Sequence, residues 1–326
     1  MRRLVFTMLV EAALRLSAGA AELSAVTAAV PAAPTAEQHA AWKRAVGATV
    51  EAFAQKYAGT VTVVRTEYAS RDARVIPAYV FSPPTAGPVK TLPGLIILHG
   101  SNHGHFGPEY FDLIARAVTE GYVVLFPEFR GSAGYGADHY EALDYGGKEV
   151  DDVLAAADHL VASDRQVDAA RLGIYGYSHG GLIALCAIEQ APRRFKAVVH
   201  VDGLADMVAY VAAKSPAQQK EIARQPSFHG RRPDEDLSPY LAASPINFVD
   251  RIEVPVLIIS TTSDDHVPVR LHGQRLADAL RERGKTCDYL LCENAPGGHE
   301  FTYHDSPARR EAFDRTFRFL EKYVQR

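Results

Sequence analysis

Short, uninterrupted apolar segments that alternate with helix-length stretches constrain the fold of this chain more than any other feature. Strands that helices bury on both faces have this composition, whereas strands with one solvated face alternate apolar and polar residues. Regular alternation of such strands with helices predicts a doubly wound, mostly parallel sheet with right-handed crossovers and helices on both faces. The segments are GLIILHG (94–100), YVVLFPE (122–128), RLGIYGYS (171–178), KAVVHVDG (196–203), VPVLIIST (254–261) and TCDYLLCE (286–293).

Two further segments near the amino terminus have a different character. TVTVVRTEY (60–68) and RVIPAYVFS (74–82) are rich in β-branched and aromatic residues and are joined by a short polar turn. This pattern predicts an antiparallel pair. The chain is therefore predicted to belong to the α/β class, with an eight-stranded sheet whose first two strands are antiparallel. KEVDDVLAAADHLVAS (148–163) is a predicted helix between two of the later strands.

The first 37 residues can be interpreted in two ways. They begin with the basic and then apolar sequence MRRLVFTMLV, followed by the small residues SAGAAE and an Ala- and Pro-rich stretch. This is the outline of a signal peptide and linker, which would place the protein in the periplasm or outside the cell. Glu11 and Arg15 interrupt the apolar run, as they would in the leader of a cytoplasmic protein. Both interpretations stay open, and residues 38–326 are predicted to form one domain that starts with a helix.

Charge and composition exclude several classes of function. The net charge of −4, with no long run of one sign, predicts neither a nucleic-acid surface nor a polybasic membrane patch. No segment approaches the length of a membrane span, so no stable membrane insertion is predicted. The three cysteines are odd in number and form no C-x-x-C pair, which disfavours a disulfide framework. The oligomeric state is left open.

The most informative motif is Gly-Tyr-Ser-His-Gly at 176–180, a G-x-S-x-G pattern between a buried strand and the helix-forming run LIALCAIEQ. In a nucleophile elbow the serine occupies a strained strand-to-helix turn, and small neighbours let the backbone bend tightly. This context predicts that Ser178 is a nucleophile rather than a helix-capping serine. The N–H of His179 would then point to the place where an oxyanion forms.

A nucleophilic serine requires a base and an orienting acid. In this kind of fold they follow the serine in the order acid, then histidine. Asp264 and Asp265 come just after a predicted strand, and His299 lies in the loop after the last strand. His266 and His304 compete for the role of base, but position favours His299. Spacing alone does not choose between the two aspartates.

Six short motifs occur in order along the chain. They are ILHGS (97–101), FRGSAGYG (129–136), GYSHGG (176–181), AASPINFVDRIEVPVLII (242–259), DDHVP (264–268) and GGHEF (297–301). Together they resemble the catalytic α/β-hydrolase domain of the prolyl oligopeptidase family of serine peptidases. The resemblance runs from about residue 60 to the C terminus and implies the α/β-hydrolase fold.

The resemblance also implies residue roles. The acid of the family is the first aspartate of a D-x-x-V pattern, which selects Asp264. The Arg-Gly-Ser-x-Gly-Tyr-Gly loop of the family carries a tyrosine whose hydroxyl completes the oxyanion hole, and Tyr135 holds that position. His266 stands where some members direct Arg or Asn toward the substrate. Family peptidases usually carry an N-terminal β-propeller, and the roughly sixty residues before this domain are too few for one.

Residues 204–248 lie between two predicted strands and contain helical segments. We expect them to form a small helical cap over the site, where loops commonly set substrate choice. Met207 and Tyr210 of this insertion are candidates for the substrate pocket. His99 and His266 complete the set of candidate pocket residues.

Three histidines after the third predicted strand suggest an alternative kind of site. His99, His103 and His105 are spaced so that a metal ion could use them. No carboxylate or cysteine completes the set locally, and Glu109 is the nearest acid. The His-Gly pair at this position is better explained as the loop beside the oxyanion hole. Neither a metal nor an organic cofactor is therefore predicted.

The predicted function is cleavage of peptide or amide bonds in short peptides by Ser178, Asp264 and His299, through an acyl-enzyme. A carboxylesterase that acts on small acyl esters with the same triad is the main alternative, because no peptide-anchoring propeller is expected. A catalytically inactive binding protein of the same fold is an alternative of another class. The expected partner is a small-molecule or short-peptide substrate, and the sequence leaves open the side-chain preference and exo or endo cleavage.

Overall fold

The computed structural model describes residues 33–85 and 90–325. Its strands confirm the predicted number and order, with bounds that differ by a few residues. They are β1 (Thr62–Ala69), β2 (Val75–Ser82), β3 (Leu92–Leu98), β4 (Val123–Pro127), β5 (Val167–Tyr177), β6 (Ala197–Val201), β7 (Val256–Thr261) and β8 (Cys287–Cys292).

The strands form one sheet in the order β1-β2-β4-β3-β5-β6-β7-β8. β2 pairs antiparallel with both β1 and β4. All other neighbouring strands of the sheet, from β4 to β8, pair in parallel. In the centre of the sheet, Ile174 of β5 lies between Ile96 of β3 and Val198 of β6. The chain passes from β3 to β4 on one side and then returns to β5 on the other, so the strand order reverses between β3 and β5.

Helices connect and cover these strands. The 3₁₀ segment Pro108–Tyr110 leads into α2, and Gly298–Tyr303 follows β8. Among the residues described, no helix combines the length and the apolar character that a membrane crossing requires. The α-helices are α1 (Ala36–Lys56), α2 (Phe111–Thr119), α3 (Ala137–Glu141), α4 (Lys148–Ser163), α5 (His179–Gln190), α6 (Met207–Ala212), α7 (Pro216–Ala223), α8 (Ser238–Ala242), α9 (Gly273–Glu282) and α10 (Pro307–Leu320).

Alternate residues of the central strands contribute to two apolar clusters, one on each face of the sheet. In β3, Ile96 and Leu98 belong to the first cluster, while Leu95 and Ile97 belong to the second. Helices α4, α5 and α9 complete the first cluster, and α1, α2 and α10 complete the second. This is the two-sided burial that the uninterrupted apolar strands predict.

Helix α1 starts two residues before the predicted domain boundary at residue 38. A capping box fixes its start: the Thr35 hydroxyl accepts the Gln38 N–H at 3.2 Å, and the Gln38 side chain accepts the Thr35 N–H at 2.7 Å. The two bonds satisfy amides that a helix terminus otherwise leaves without partners. Phe53 is fully buried and anchors the helix in the second cluster. The predicted leader, residues 1–37, lies outside the described residues except for its last five positions.

The insertion predicted at 204–248 connects β6 to β7 and holds α6, α7 and α8. Within it, Phe228 and Tyr240 stack with ring centroids 4.2 Å apart, and both are fully buried. Both side chains belong to the first cluster. The insertion is therefore packed onto the domain rather than extended from it, which positions α6 beside the carboxyl-terminal edge of the sheet.

Candidate active site

Three loops at the carboxyl-terminal edge of the sheet carry the predicted catalytic residues. Ser178 directly follows β5, Asp264 lies just after β7 and His299 lies in the 3₁₀ segment after β8. The strand order reverses beside Ser178, between β3 and β5. Open α/β sheets bind ligands outside the carboxyl ends of the strands at such a reversal.

The turn at Ser178 is strained and is held by close backbone contacts. Ser178 has φ 53° and ψ −115°, a conformation that residues other than glycine rarely adopt. Its N–H donates to the Val201 carbonyl at 2.9 Å. A Cβ at Gly176 would lie 2.2 Å from the Gly180 oxygen, and one at Gly180 would lie 2.6 Å from the Leu98 oxygen. The glycines of the motif are therefore needed for the backbone to pass this closely.

Ser178, His299 and Asp264 form a continuous hydrogen-bonded chain. Ser178 Oγ lies 2.9 Å from His299 Nε2, and His299 Nδ1 lies 2.7 Å from Asp264 Oδ2. The carboxylate accepts Nδ1–H, which leaves Nε2 free to accept the serine proton. Asp265 contacts the side chain of His266 instead. The structure therefore brings the predicted serine, histidine and first aspartate together.

Neighbouring groups fix the acid and the base. Asp264 Oδ1 accepts the N–H groups of His266 and Val267, each at 2.8 Å, so Oδ2 is directed to His299. The Tyr177 hydroxyl donates to the His299 carbonyl at 2.5 Å, and the two rings lie 5.3 Å apart. The Asp264 side chain is inaccessible to solvent. Side chains held in this way keep a reactive geometry before a substrate arrives.

Two backbone N–H groups beside Ser178 are candidates for the oxyanion hole. His179 is the first residue of α5. At this end of a helix the backbone N–H has no acceptor within the helix, and the helix dipole places a partial positive charge there. Ser101, in the loop after β3, lines the same cavity and has φ 64°. Within residues 33–85 and 90–325, neither N–H has a hydrogen-bond acceptor. The His179 N–H is the predicted donor, whereas Ser101 was not predicted.

Tyr135 does not belong to this site, and we correct its assignment as an oxyanion donor. Its hydroxyl lies 2.9 Å from that of Tyr79 and also contacts the buried Glu128. It lines a different cavity, beside Arg65, and not the one that contains Ser178. Burial, and then the Glu128 carboxylate, raise the pKa of Tyr135. Tyr79 of β2 explains this position, because its hydroxyl is hydrogen-bonded to that of Tyr135 and both side chains pack in the second apolar cluster.

The variant Tyr135→Phe separates the two assignments. We expect kcat/KM to stay within about threefold of the wild-type value, while the free energy of unfolding falls by about 1 kcal/mol because the bond to Tyr79 is lost. An oxyanion donor would instead lose about 10²- to 10³-fold in kcat. Steady-state kinetics and urea unfolding on one preparation measure both effects.

A cavity of about 470 Å³ lies in front of Ser178. Of the predicted pocket residues, Tyr210 and His266 line it, and the His266 ring stacks on His299 at 5.4 Å. Met207 does not line it, because its side chain is fully buried in the first apolar cluster. His99 does not line it either, because its ring is buried against the Ser132 hydroxyl at 2.7 Å. The prediction of these two pocket residues was wrong.

The three histidines of the metal alternative have separate partners. His103 Nδ1 lies 2.7 Å from one backbone carbonyl oxygen, and His105 Nδ1 lies 3.0 Å from another. His99 is engaged by Ser132. In the described part of the chain, no group of three ligand atoms close enough to share an ion includes these histidines. The structure therefore does not bring them together.

Comparison with known proteins identifies the family. The sequence pattern of the prolyl oligopeptidase family matches residues 109–326. The match covers more than half of the chain and includes Ser178, Asp264 and His299. The chain belongs to the prolyl oligopeptidase family. This confirms the resemblance drawn from the six motifs, and with it the α/β-hydrolase fold.

Individual relatives of this prolyl oligopeptidase family chain are distant. Uncharacterized peptidase YuxL of Bacillus subtilis (strain 168) is 28% identical over 260 residues, which cover 75% of this chain and 36% of that protein. Acylamino-acid-releasing enzyme of Arabidopsis thaliana is 29% identical over 227 residues, which cover 66% and 29%. The structure of a Mycobacterium tuberculosis puromycin-hydrolyzing peptidase has a TM-score of 0.68 and 27% identity, and the match covers 80% of this chain and 39% of that one. The chain thus spans about a third of the length of the curated relatives, 36% and 29%.

A buried Glu–His pair lies beneath the nucleophile of this family member. His179 Nε2 is 3.0 and 3.1 Å from the two carboxylate oxygens of Glu149, and both side chains are almost inaccessible. Glu149 also accepts the N–H groups of Asp144 and Gly146, each at 3.2 Å. Burial raises the pKa of Glu149, and His179 opposes the shift. Glu149 therefore ties α4 to His179, whose backbone N–H is a candidate oxyanion donor.

The variant Glu149→Ala tests how much this pair stabilises the fold. It leaves buried donors without an acceptor, so we expect the free energy of unfolding to fall by about 3 kcal/mol or more. The matched control is Asp158→Ala on the same helix. It removes the exposed carboxylate of Asp158, which pairs with the partly buried Arg194, and should change stability by about 0.5 kcal/mol or less. Urea unfolding of both variants is the measurement, and equal losses would contradict the assignment.

The sequence did not reveal two ionisable residues near the site. Asp202 follows β6, is buried, and accepts the Thr261 N–H at 3.1 Å. One oxygen each of Asp202 and Asp264 and one ring nitrogen of His299 lie within 4.8 Å of one another. Burial, and then Asp264, raise the pKa of Asp202 well above its usual range. Lys214 lines the cavity from the cap, and no motif marks either residue.

Proposed function

We propose that this chain is a serine peptidase that cleaves peptide or amide bonds of short peptides through an acyl-enzyme. The observation that carries the proposal is the hydrogen-bonded chain from Ser178 through His299 to Asp264, with distances of 2.9 and 2.7 Å. A serine hydroxyl becomes an effective nucleophile only beside a base that a third group orients. Ser178 and His299 line a cavity of about 470 Å³, which is in the range of small-ligand sites.

Acylation of Ser178 is the first half of the proposed reaction. His299 Nε2 accepts the hydroxyl proton as Oγ attacks the scissile carbonyl carbon, and Asp264 stabilises the resulting imidazolium. The carbonyl oxygen becomes an oxyanion that accepts the N–H groups of His179 and Ser101. The tetrahedral intermediate then expels the amine, which takes the proton from His299 Nε2. The acyl group is left as an ester on Ser178.

Deacylation repeats the same steps with water as the nucleophile. The water oxygen attacks the acyl carbon as His299 accepts a proton from the water molecule. The two backbone N–H groups again stabilise the oxyanion. The intermediate releases the carboxylic acid as Ser178 recovers its proton from the imidazolium. Apart from the water molecule, every group that acts in these two half-reactions belongs to the chain.

Membership of the prolyl oligopeptidase family supports a peptidase over a carboxylesterase. Two of the relatives named above are an acylamino-acid-releasing enzyme and a puromycin-hydrolyzing peptidase. Their names make N-acylated peptides and puromycin the first amides to test on this chain. Small aryl esters belong in the same panel, because the triad would cleave them as well.

A substrate panel on the purified full chain tests the proposal. We expect turnover of at least one N-acylated peptide, N-acyl aminoacyl anilide or puromycin, measured as kcat/KM. Turnover of 4-nitrophenyl esters without any amide would favour the carboxylesterase. A fluorophosphonate probe, which reacts with activated serines, gives a parallel readout. A folded protein that is neither labelled nor active would instead support the inactive binding protein.

A further inference from the structure

Lys214 places a positive charge in the cavity of Ser178. It lies at the junction of α6 and α7 in the cap, where its N–H donates to the Val211 carbonyl at 3.0 Å and its own carbonyl accepts the Gln219 side chain at 3.0 Å. The side chain lines the same cavity as Ser178 and Tyr210. The two hydrogen bonds therefore fix the backbone of Lys214, from which its charged side chain extends.

Among the residues described, no carboxylate neutralises this ammonium. In the portions of the chain that the structure describes, no carboxylate oxygen lies within 4.0 Å of Lys214 Nζ, whereas Arg224 of the same cap pairs with Glu221 at 2.7 Å. Lys214 Nζ lies over the ring of Tyr210 instead, 4.3 Å from its centroid. A cation–π contact holds a charge without neutralising it, so the ammonium keeps its capacity to bind an anion.

Asp264 is the acidic residue that most affects Lys214, but its oxygens are occupied. Burial lowers the pKa of Lys214, and attraction to Asp264 opposes that shift. Asp264 Oδ1 accepts two backbone N–H groups, and Oδ2 accepts His299 Nδ1–H. Lys214 is thus partly desolvated, and within the described part of the chain it has no ion-pair partner, which is an unfavourable state for an ammonium. A carboxylate on a ligand would relieve it.

The other acidic side chains of the cavity belong to different loops. Glu109 precedes α2 and Glu300 follows His299. Of the described residues that line the cavity, Lys214 is the only lysine or arginine. An anionic ligand group is therefore repelled by the loops that carry the glutamates and attracted to the cap.

We propose that Lys214 binds a carboxylate of the substrate, so that the enzyme prefers peptides with a carboxylate close to the scissile bond over the matching amides. This inference rests on the proposed peptidase function. The carboxylate can belong to the acyl part, as an acidic side chain, or to the leaving part, as a free C terminus. The chemistry that Lys214 recognises is the same in both cases.

Two matched substrate pairs test the preference and locate it. N-acetyl-Glu 4-nitroanilide against N-acetyl-Gln 4-nitroanilide probes the acyl part, and acetyl-Ala-Ala with a free or an amidated C terminus probes the leaving part. We expect kcat/KM to be about tenfold or more higher for the carboxylate member of one pair. Lys214→Met should bring that ratio close to one, and Lys214→Arg should retain most of it. Lys220→Met is the matched control, because Lys220 is exposed in α7 and does not line the cavity.

The two proposals fail in different ways. A wild-type ratio near one for both pairs, or a ratio that Lys214→Met does not change, overturns the role of Lys214 and leaves the peptidase intact. No turnover together with no fluorophosphonate labelling overturns both. If Ser178 is labelled but none of the four substrates is cleaved, slower labelling with N-acetylglutamate than with N-acetylglutamine amide, which has no carboxylate, supports the inference, and equal labelling rates overturn it.

Discussion

Ser178→Ala is expected to lower kcat/KM by about 10⁴-fold or more on every substrate that the wild type cleaves. The variant removes the only atom that forms the acyl bond, and His299, 2.9 Å away, then has no proton to accept. Labelling by a fluorophosphonate should disappear, because the probe attaches to Ser178 Oγ. Steady-state kinetics and intact-protein mass spectrometry measure the two losses.

Stability separates a chemical loss from misfolding in this variant. The Ser178 N–H donates to the Val201 carbonyl through the backbone, so alanine keeps that bond, and unfolding should change by about 1 kcal/mol or less. Ser163→Ala, at the exposed end of α4, is a control that should keep both activity and labelling. Persistent labelling of Ser178→Ala would show that another residue is the nucleophile.

Asp264→Asn is expected to lower kcat by about 10³- to 10⁴-fold, the second largest effect. The carboxylate accepts Nδ1–H of His299 at 2.7 Å, and this bond leaves Nε2 to take the serine proton. An amide NH₂ at the same place donates, so it favours the tautomer in which Nε2 carries the proton. The kcat for an N-acylated peptide or aryl ester measures the loss, and the extent of labelling after a fixed time should fall with it.

The adjacent acid provides a matched control. Asp265 is exposed and contacts the His266 side chain at 2.7 Å rather than His299. Asp265→Asn makes the same chemical change one residue away, and we expect kcat to stay within about threefold of wild type, as for exposed pairs. A large loss in Asp265→Asn with a small one in Asp264→Asn would reverse the assignment of the acid.

Much of the fold could be predicted because burial on two faces leaves a local signature. β4 is five buried apolar residues between helices, and α4 has the bounds Lys148–Ser163 that its sequence predicts. β5 starts at Val167, four residues before the predicted start at Arg171. Its first residues include polar ones, and the strand extends there because Val167 pairs with Leu92 of β3. A partner strand, rather than local composition, decided that boundary.

The site was predictable to the extent that it depends on chain order. Ser178, an aspartate and His299 follow β5, β7 and β8, and parallel strands place their carboxyl ends on one edge. Tyr135, whose role the family resemblance implied, shows a different limit: a motif indicates which residue occupies a loop but not the direction of its side chain. Tyr79 on β2 supplies the partner that draws the Tyr135 hydroxyl away.

The sequence by itself determined the sheet, the elbow at Ser178 and the order of the triad, because periodicity and strand-to-loop order are local properties. Chain order left Asp264 and Asp265 open, and the family resemblance selected Asp264. Only the tertiary structure decided that Ser101 joins His179 beside the nucleophile and that Lys214 lines the cavity. These outcomes depend on distances and burial between segments far apart in the chain. Whether two such groups form a hydrogen bond, or an ammonium lacks a partner, depends on how those segments pack together.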